Sequence, residues 1–428
     1  MSLLLRGGRV VDPSQGLDGD ADLLIEGERV AAVGPGLEAP ADAEVLDVAG
    51  KVVAPGLIDI HVHLREPGQE YKETIATGTR AAARGGFTAV ACMANTAPVN
   101  DSPSVTEHIL SQARRAGWAR VYPVAAITKG LAGEELAEMG QLRAAGAVAF
   151  SDDGLPVSSP ELMRRALSYA RHFDAPIVQH AQDLALSGAG AMHEGVWSTR
   201  LGVPGIPATA EDVMVARDIE LVALTGGRYH LQHLSSARSL DLVREAKRRG
   251  LAVTCEVSPH HLLLTDESVH ASGLDPNFKM NPPLRSAADR QTLLEGLADG
   301  SIDVIATDHA PHHPDEKLVP FGEAPFGIVG LETAVGLCLD RLVGKGRLDL
   351  SRLVDLLSCR AAATMGLKGG TLAVGSLADV TVLDLEAEWH VDPEAFESRS
   401  RNTPFAGWSG KGKAVLTIVG GRRVELDA

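Results

Sequence analysis

Cysteine is sparse in this sequence: there are four among 428 residues, Cys92, Cys255, Cys338 and Cys359. They lie far apart, with no CxxC pair and no zinc-finger spacing. That excludes a thiolate metal site and predicts reduced thiols in a cytoplasmic protein. Long hydrophobic runs are absent as well; none approaches the roughly 18 residues that a membrane helix needs. The apolar part of the first eight residues, Met1–Gly8, is too short for a signal peptide. Positive charge is outnumbered, with 40 Lys and Arg against 56 Asp and Glu, for a formal charge of −16. A protein that binds nucleic-acid phosphates or coats anionic membrane needs the opposite balance. Low-complexity tracts, charge blocks and internal repeats are also missing.

What is present suits a large folded enzyme. Hydrophobic residues make up 45% of the chain, and 45 glycines and 23 prolines suit many tight loops. The length fits a barrel with one smaller appended domain. Eight strand candidates run through the middle: Val52–His63, Phe87–Met93, Val121–Ala126, Ala147–Phe150, Ile177–His180, Tyr229–His233, Leu251–Glu256 and Val304–Asp308. Helical periodicity separates most of them, as in Glu73–Arg84, Pro160–His172, Glu211–Thr225 and Ser236–Arg249. Alternating strands and helices imply a parallel sheet, and eight units suggest a (β/α)8 TIM-type barrel. Periodicity alone does not separate that barrel from a long doubly wound sheet. The two ends read as short strands around turns. They make either one small β-sandwich built from both termini or two separate β-extensions. The predicted division is 1–54 plus 368–428 for the sandwich and 55–367 for the barrel.

The 15 histidines lead to the chemistry. His61 and His63 are two apart in a strand, so they face the same side. They fall at the C-terminal end of the first strand, where barrel enzymes build their sites. A lone pair of this kind reads equally as a metal-ligand pair or as two core histidines. Later strand ends then deliver Asp152-Asp153, His180, His233 and Asp308. Imidazoles and carboxylates without thiolates favour zinc or a similar divalent ion. Six ligands exceed one tetrahedral ion, so two metals are expected. His61, His63 and Asp308 would hold the first, and His180 and His233 the second. A carboxylate of the Asp152-Asp153 pair would bridge; spacing alone does not decide which.

Several longer motifs go further: Asp59–Gly68 (DIHVHLREPG), Met93–Thr96 (MANT), Phe150–Gly154 (FSDDG), Met280–Arg285 (MNPPLR), Ala306–His312 (ATDHAPH), Pro325–Gly327 (PFG) and Ser400–Phe405 (SRNTPF). With them the chain resembles the dihydroorotases of the amidohydrolase superfamily, the class with a roughly 45 kDa subunit. The resemblance implies the barrel with its composite sandwich. It implies reversible cyclisation of N-carbamoyl-L-aspartate to L-dihydroorotate, a step of pyrimidine synthesis. It also implies Asp153 as the bridging residue between two zinc ions. Arg65, Asn95, Asn281, His312 and the Phe326-Gly327 backbone are implied to bind substrate. A homodimer is the family expectation, and docking on aspartate transcarbamoylase remains open.

The expected mechanism has a metal-held hydroxide attacking the ring amide, with Asp308 as general acid and base. Arg65 suits the substrate's unreactive carboxylate, because a guanidinium can make two parallel bonds to it. The bland reading of Arg65 is a salt bridge to Glu66 or Glu70. Hydantoinases carry a carboxylated lysine after the fourth strand, and here that strand ends Phe150-Ser151-Asp152-Asp153. Other cyclic amidohydrolases, including allantoinases, and a metal-retaining transcarbamoylase scaffold are the competing readings. Glycines 322 and 327 predict a loop over the site, either mobile or an ordinary turn. His193, His230, His260, His261 and His270 belong to no motif and read as structural or surface residues.

Overall fold

The computed structural model describes residues 2–425. Its central sheet has eight strands in sequential order. They are β1 (Leu57–Val62), β2 (Phe87–Cys92), β3 (Arg120–Ala125), β4 (Ala149–Phe150), β5 (Ile177–Gln179), β6 (Tyr229–Leu231), β7 (Val253–Val257) and β8 (Val304–Ile305). All neighbouring pairs are parallel. The sheet closes where Val62 bridges His309 in parallel and the His63 amide donates to the His309 carbonyl at 2.8 Å. The Asp59 carboxylate reinforces the seam by accepting the Thr307 amide at 3.2 Å. This is the (β/α)8 barrel.

The helices follow their sequence signals. The four predicted segments form Ile75–Arg84, Pro160–Ala170, Thr209–Thr225 and Ala237–Arg248. Thr74, Ser159 and Ser236 cap three of them, each side chain accepting a backbone amide of the first turn. The buried positions Ser239, Leu240, Val243 and Ala246 recur at three- and four-residue steps and turn one face of the last helix inward. Phe150, Tyr229 and Leu231 anchor the large core between helices and strands.

The first strand candidate proves to be two strands. Val52–Pro55 belongs to a second sheet, and the barrel begins only at Leu57. Gly56 is the break. A Cβ there would lie 2.1 Å from Thr88 Oγ1, and its amide donates to the Asp379 carbonyl instead of a barrel neighbour. A continuous run without a polar residue, 52–58, passes straight through this switch, which is why the sequence reads as one strand.

The second sheet also has eight strands and draws on both termini. Val52–Pro55 pairs in parallel with Ser2–Asp12 on one side and antiparallel with Val380–His390 on the other. Ser409–Val419 and Arg422–Arg423 extend one limb, and Leu17–Glu26 and Arg29–Gly34 the other. The limbs curl together. Val30 donates to Ser376 at 3.1 Å, and Ala378 donates to Glu28 at 2.9 Å. Leu5, Leu23, Val53, Val380 and Ile418 fill the core between them. The termini thus form one composite unit rather than two extensions.

Candidate metal centre and substrate cleft

The six predicted ligands converge at the C-terminal mouth of the barrel. His61 and His63 leave the end of β1 on one side. Asp153 follows β4, His180 follows β5, His233 follows β6 and Asp308 follows β8. Four of the ligand-bearing strands end earlier than the sequence suggests, at Val62, Gln179, Leu231 and Ile305, because the chain leaves the ladder before His63, His180, His233 and Asp308. His233 (φ 32°) and Asp308 (φ 49°) take left-handed backbone conformations just past β6 and β8. Such conformations cost on the order of 1–3 kcal/mol for a residue with a Cβ and concentrate at functional sites.

Asp153 joins two groups of donors. Its Oδ2 lies 3.2 Å from His63 Nε2 and 3.4 Å from His61 Nε2. Its Oδ1 lies 3.6 Å from His233 Nε2 and 3.7 Å from His180 Nδ1. Asp308 Oδ1 faces the first pair at 3.2 and 3.4 Å. The donor atoms fall into clusters compact enough to hold metal ions. Asp153 Oδ1 is buried without a hydrogen-bond partner, although a buried carboxylate oxygen normally has one. Nitrogen and oxygen donors of this kind fit zinc or another divalent ion.

Asp152 points away. Its carboxylate accepts the amides of Ile127 and Thr128 at 2.8 and 2.9 Å and the Thr128 hydroxyl. It pins the loop after β3. Asp153 is left free to face the centre, and its own amide donates to Ser151 Oγ at 3.0 Å.

Outer partners orient the ligands. Glu256 Oε1 lies 2.5 Å from His61 Nδ1, and its Oε2 lies 3.1 Å from His230 Nε2. His230 in turn contacts Thr254 Oγ1 at 2.8 Å. His63 Nδ1 meets Asn95 Oδ1 at 2.8 Å. His180 Nε2 lies 2.8 Å from Gln182 Oε1, which leaves Nδ1 toward Asp153. Such partners fix the ring orientation of metal-binding histidines. Sequence reading missed Glu256 and set His230 aside. The available signal was a glutamate inside Val253–Val257, a strand otherwise suited to burial, at the one end in the later half of the barrel without an assigned ligand.

Electrostatics agree with the geometry. Burial alone would push the His61 imidazole down, but Asp308, Asp153 and Glu256 hold it well above its usual value. Burial would likewise raise Asp153, yet His61, His180 and His233 keep it well below the ordinary carboxylate range. Asp308 is lowered in the same way, against burial, mainly by His61. Carboxylates gathered in a dry pocket with imidazoles make a cradle for cations.

A cavity of about 330 Å³ opens above these ligands. Its lining includes His63, Asp153, His180, His233 and Asp308, with Arg65, Asn95, Asn281, His312, Phe326 and Gly327. His61 lies beneath it, fully buried. Arg65 (φ 61°) is buried and donates through Nε to the Pro311 carbonyl at 3.2 Å. The carboxylates of Glu66 and Glu70 are occupied by the amides of Ile75 and Gly68. The salt-bridge reading of Arg65 therefore falls. Asn281 is tied to Gln182 at 2.7 Å and to His180 Nε2 at 3.2 Å.

The segment over the cleft is firmly held. His312 Nε2 donates to the Phe326 carbonyl at 2.8 Å, consistent with a neutral ring that burial and Arg65 push down to about 3. Gly327 donates to the Lys279 carbonyl at 2.9 Å, and its own carbonyl accepts from Asn402 at 3.0 Å. Lys317 donates to the carbonyls of Pro276 and Pro325 at 3.0 and 2.8 Å. A side chain at Gly327 (φ 152°) would sit 2.7 Å from the Ala310 carbonyl oxygen. In this conformation residues 321–327 form a turn tied down by these bonds.

Comparison with known proteins agrees with this architecture. The Dihydro-orotase-like family model matches residues 50–239. A dihydroorotase of Anaeromyxobacter dehalogenans (strain 2CP-C) is 58% identical over 99% of this chain and 98% of its own. One from Citrifermentans bemidjiense is 54% identical over 99% of each chain. Among solved structures, the L-hydantoinase of Arthrobacter aurescens superposes with a TM-score of 0.88 at 27% identity, over 99% of this chain and 95% of that one. A D-hydantoinase from a Thermus species gives 0.82 at 28%, over 98% and 94%. Among the described residues no helix is long and apolar enough to cross a membrane. With this fold and these full-length relatives, the chain belongs to the dihydroorotase family and is a cyclic amide hydrolase.

Proposed function

We propose that the protein is a zinc-dependent dihydroorotase that interconverts N-carbamoyl-L-aspartate and L-dihydroorotate in pyrimidine biosynthesis. The observation that carries this reading is the Asp153 carboxylate, with one oxygen toward His61 and His63 and the other toward His180 and His233. Those five residues and Asp308 would hold two zinc ions. When bound, such ions acidify water to a pKa of about 7 and polarise the reacting carbonyl.

The chain's own groups do the rest. Arg65 receives the carboxylate that does not react, and its burial in the cleft strengthens that pairing. Asn95 and Asn281 border the same space, and His312 holds the Phe326-Gly327 backbone against it. Asp308 stays ionised beside the histidines, so it accepts a proton from the attacking water. It returns that proton to the ring nitrogen as the carbon–nitrogen bond breaks. In the condensing direction it takes the proton from the ureido nitrogen. The dry floor around His61 and Glu256 keeps these charges strong.

The same reading includes a cytoplasmic homodimer, able to dock on an aspartate transcarbamoylase. It divides the chain into 1–54 plus 368–428 and 55–367. The purified protein, assayed on dihydroorotate, hydantoin and allantoin, should turn over dihydroorotate fastest. Faster turnover of hydantoin or allantoin would overturn the substrate assignment. Co-elution with a transcarbamoylase without turnover, alone or in complex, would make it a scaffold.

A further inference from the structure

A second cleft of about 670 Å³ lies away from the metal centre and shares no lining residue with it. Its walls are Leu262, Leu263, Arg290, Arg341, Lys345, Arg347 and Trp408. Four of the seven are cations and none is a carboxylate, in a chain whose formal charge is −16. Crowding cations together is unfavourable unless something offsets their repulsion.

Among the described residues, only Arg341 finds such an offset. Asp340 lies 3.1 Å from it, and its terminal nitrogen donates to the Ser409 carbonyl at 3.2 Å. Among the described residues, Arg290, Lys345 and Arg347 have no ion pair and no side-chain hydrogen bond. The Nε groups of Arg290 and Arg341 are buried donors without an acceptor. A buried donor left unpaired costs about 1–3 kcal/mol, so a ligand that supplies acceptors is favoured there.

The walls also select the ligand's shape. Arg341 sits 5.4 Å from the centre of the half-buried Trp408 ring, and Phe405 packs edge-on beneath that ring at 5.1 Å. The indole is therefore held in place. Leu262 and Leu263 complete an apolar side. The volume falls within the range of about 300–1,000 Å³ usual for small-molecule sites. Guanidinium forks suit phosphate oxygens, and an indole with an adjacent arginine suits a stacked base.

We propose that this cleft binds a nucleoside phosphate, with the phosphates on Arg290, Lys345 and Arg347 and the base against Trp408. The proposal does not depend on the metal centre. Three unpaired cations match the charge of a nucleoside diphosphate.

Calorimetric titration of the full-length holoenzyme with ADP, UDP and pyrophosphate tests it. One saturable nucleotide site per chain is expected. Its Kd should be about 5–150-fold below that of pyrophosphate, since base stacking contributes about 1–3 kcal/mol. Added salt should weaken binding. Arg347→Ala, at an exposed position, should raise the nucleotide Kd, and Arg290→Ala with Arg347→Ala should raise it at least about tenfold. Metal content and dihydroorotate turnover should stay unchanged in both variants. No saturable binding, equal affinity for pyrophosphate, or an unchanged Kd in the double variant would each overturn the proposal. Displacement of nucleotide by a lower concentration of polyglutamate peptide would assign the cleft to an acidic protein segment instead.

Discussion

Glu256 holds the inner ring nitrogen of His61 at 2.5 Å, and both side chains are fully buried. His230 grips the second oxygen of the same carboxylate, so the glutamate cannot turn away. His61 therefore presents Nε2 to the centre in one orientation. Glu256→Gln should lower metal affinity or turnover by about 10–100-fold, the usual cost of losing such a partner. Metal titration of the stripped variant, read beside its turnover, checks this. Wild-type values in both would make Glu256 a packing residue only.

The adjacent pair Asp152 and Asp153 should respond to substitution in opposite ways. Asp153→Asn removes a charge shared by both donor groups, so metal content should fall. Asp152→Asn leaves the centre intact but weakens the hold on the Ile127 and Thr128 amides. It should cost about 1–3 kcal/mol of stability with metal content unchanged. Metal analysis and denaturant unfolding on both variants separate the roles; a loss of metal only in Asp152→Asn would reverse them.

Asp308 and Arg65 divide chemistry from binding. Asp308→Asn should lower kcat by about 10²–10⁴-fold, as expected for a general acid and base. Arg65→Lys keeps the charge and loses the fork, so KM should rise more than kcat falls. Steady-state kinetics in the hydrolytic direction read both. An unchanged KM in Arg65→Lys would remove the carboxylate contact.

Much of this site is legible in residue types placed at strand ends. The spacing of His61 and His63, and the recurrence of His180, His233 and Asp308, point to one rim from the amino-acid order alone. The Gly56 break is hidden there, because its cause is the approach of Thr88 from a neighbouring strand. Spacing does not separate Asp152 from Asp153, and only the family resemblance picks out the second, for a similar reason: the Ile127 and Thr128 amides that claim Asp152 come from another loop. Glu256 escapes notice because its partners, His61 and His230, are far from it in sequence.

Lys317 gives a pH signature. It is buried and linked to the Pro276 and Pro325 carbonyls, and burial together with Lys279 pushes its amine down to about 7. A lysine in an unfolded chain titrates near 10.4. Above pH 7 the unfolded chain thus binds more protons than the native one, and this group's contribution to stability rises with pH. It is lost as pH falls from the unfolded value toward 7. Between about pH 7 and 8.5 the slope approaches 1.4 kcal/mol per unit. Lys317→Met should remove that increment. Urea unfolding of both proteins across this window measures the difference, and parallel curves would refute it.

The central claim is a two-ion centre bridged by Asp153, and zinc titration of the metal-stripped protein tests it most directly. Dihydroorotate turnover is followed at each addition. The account predicts activity that is lost on chelation and returns fully only as zinc approaches two per chain. Full activity at one zinc per chain, or activity that survives complete removal of metal, would contradict it.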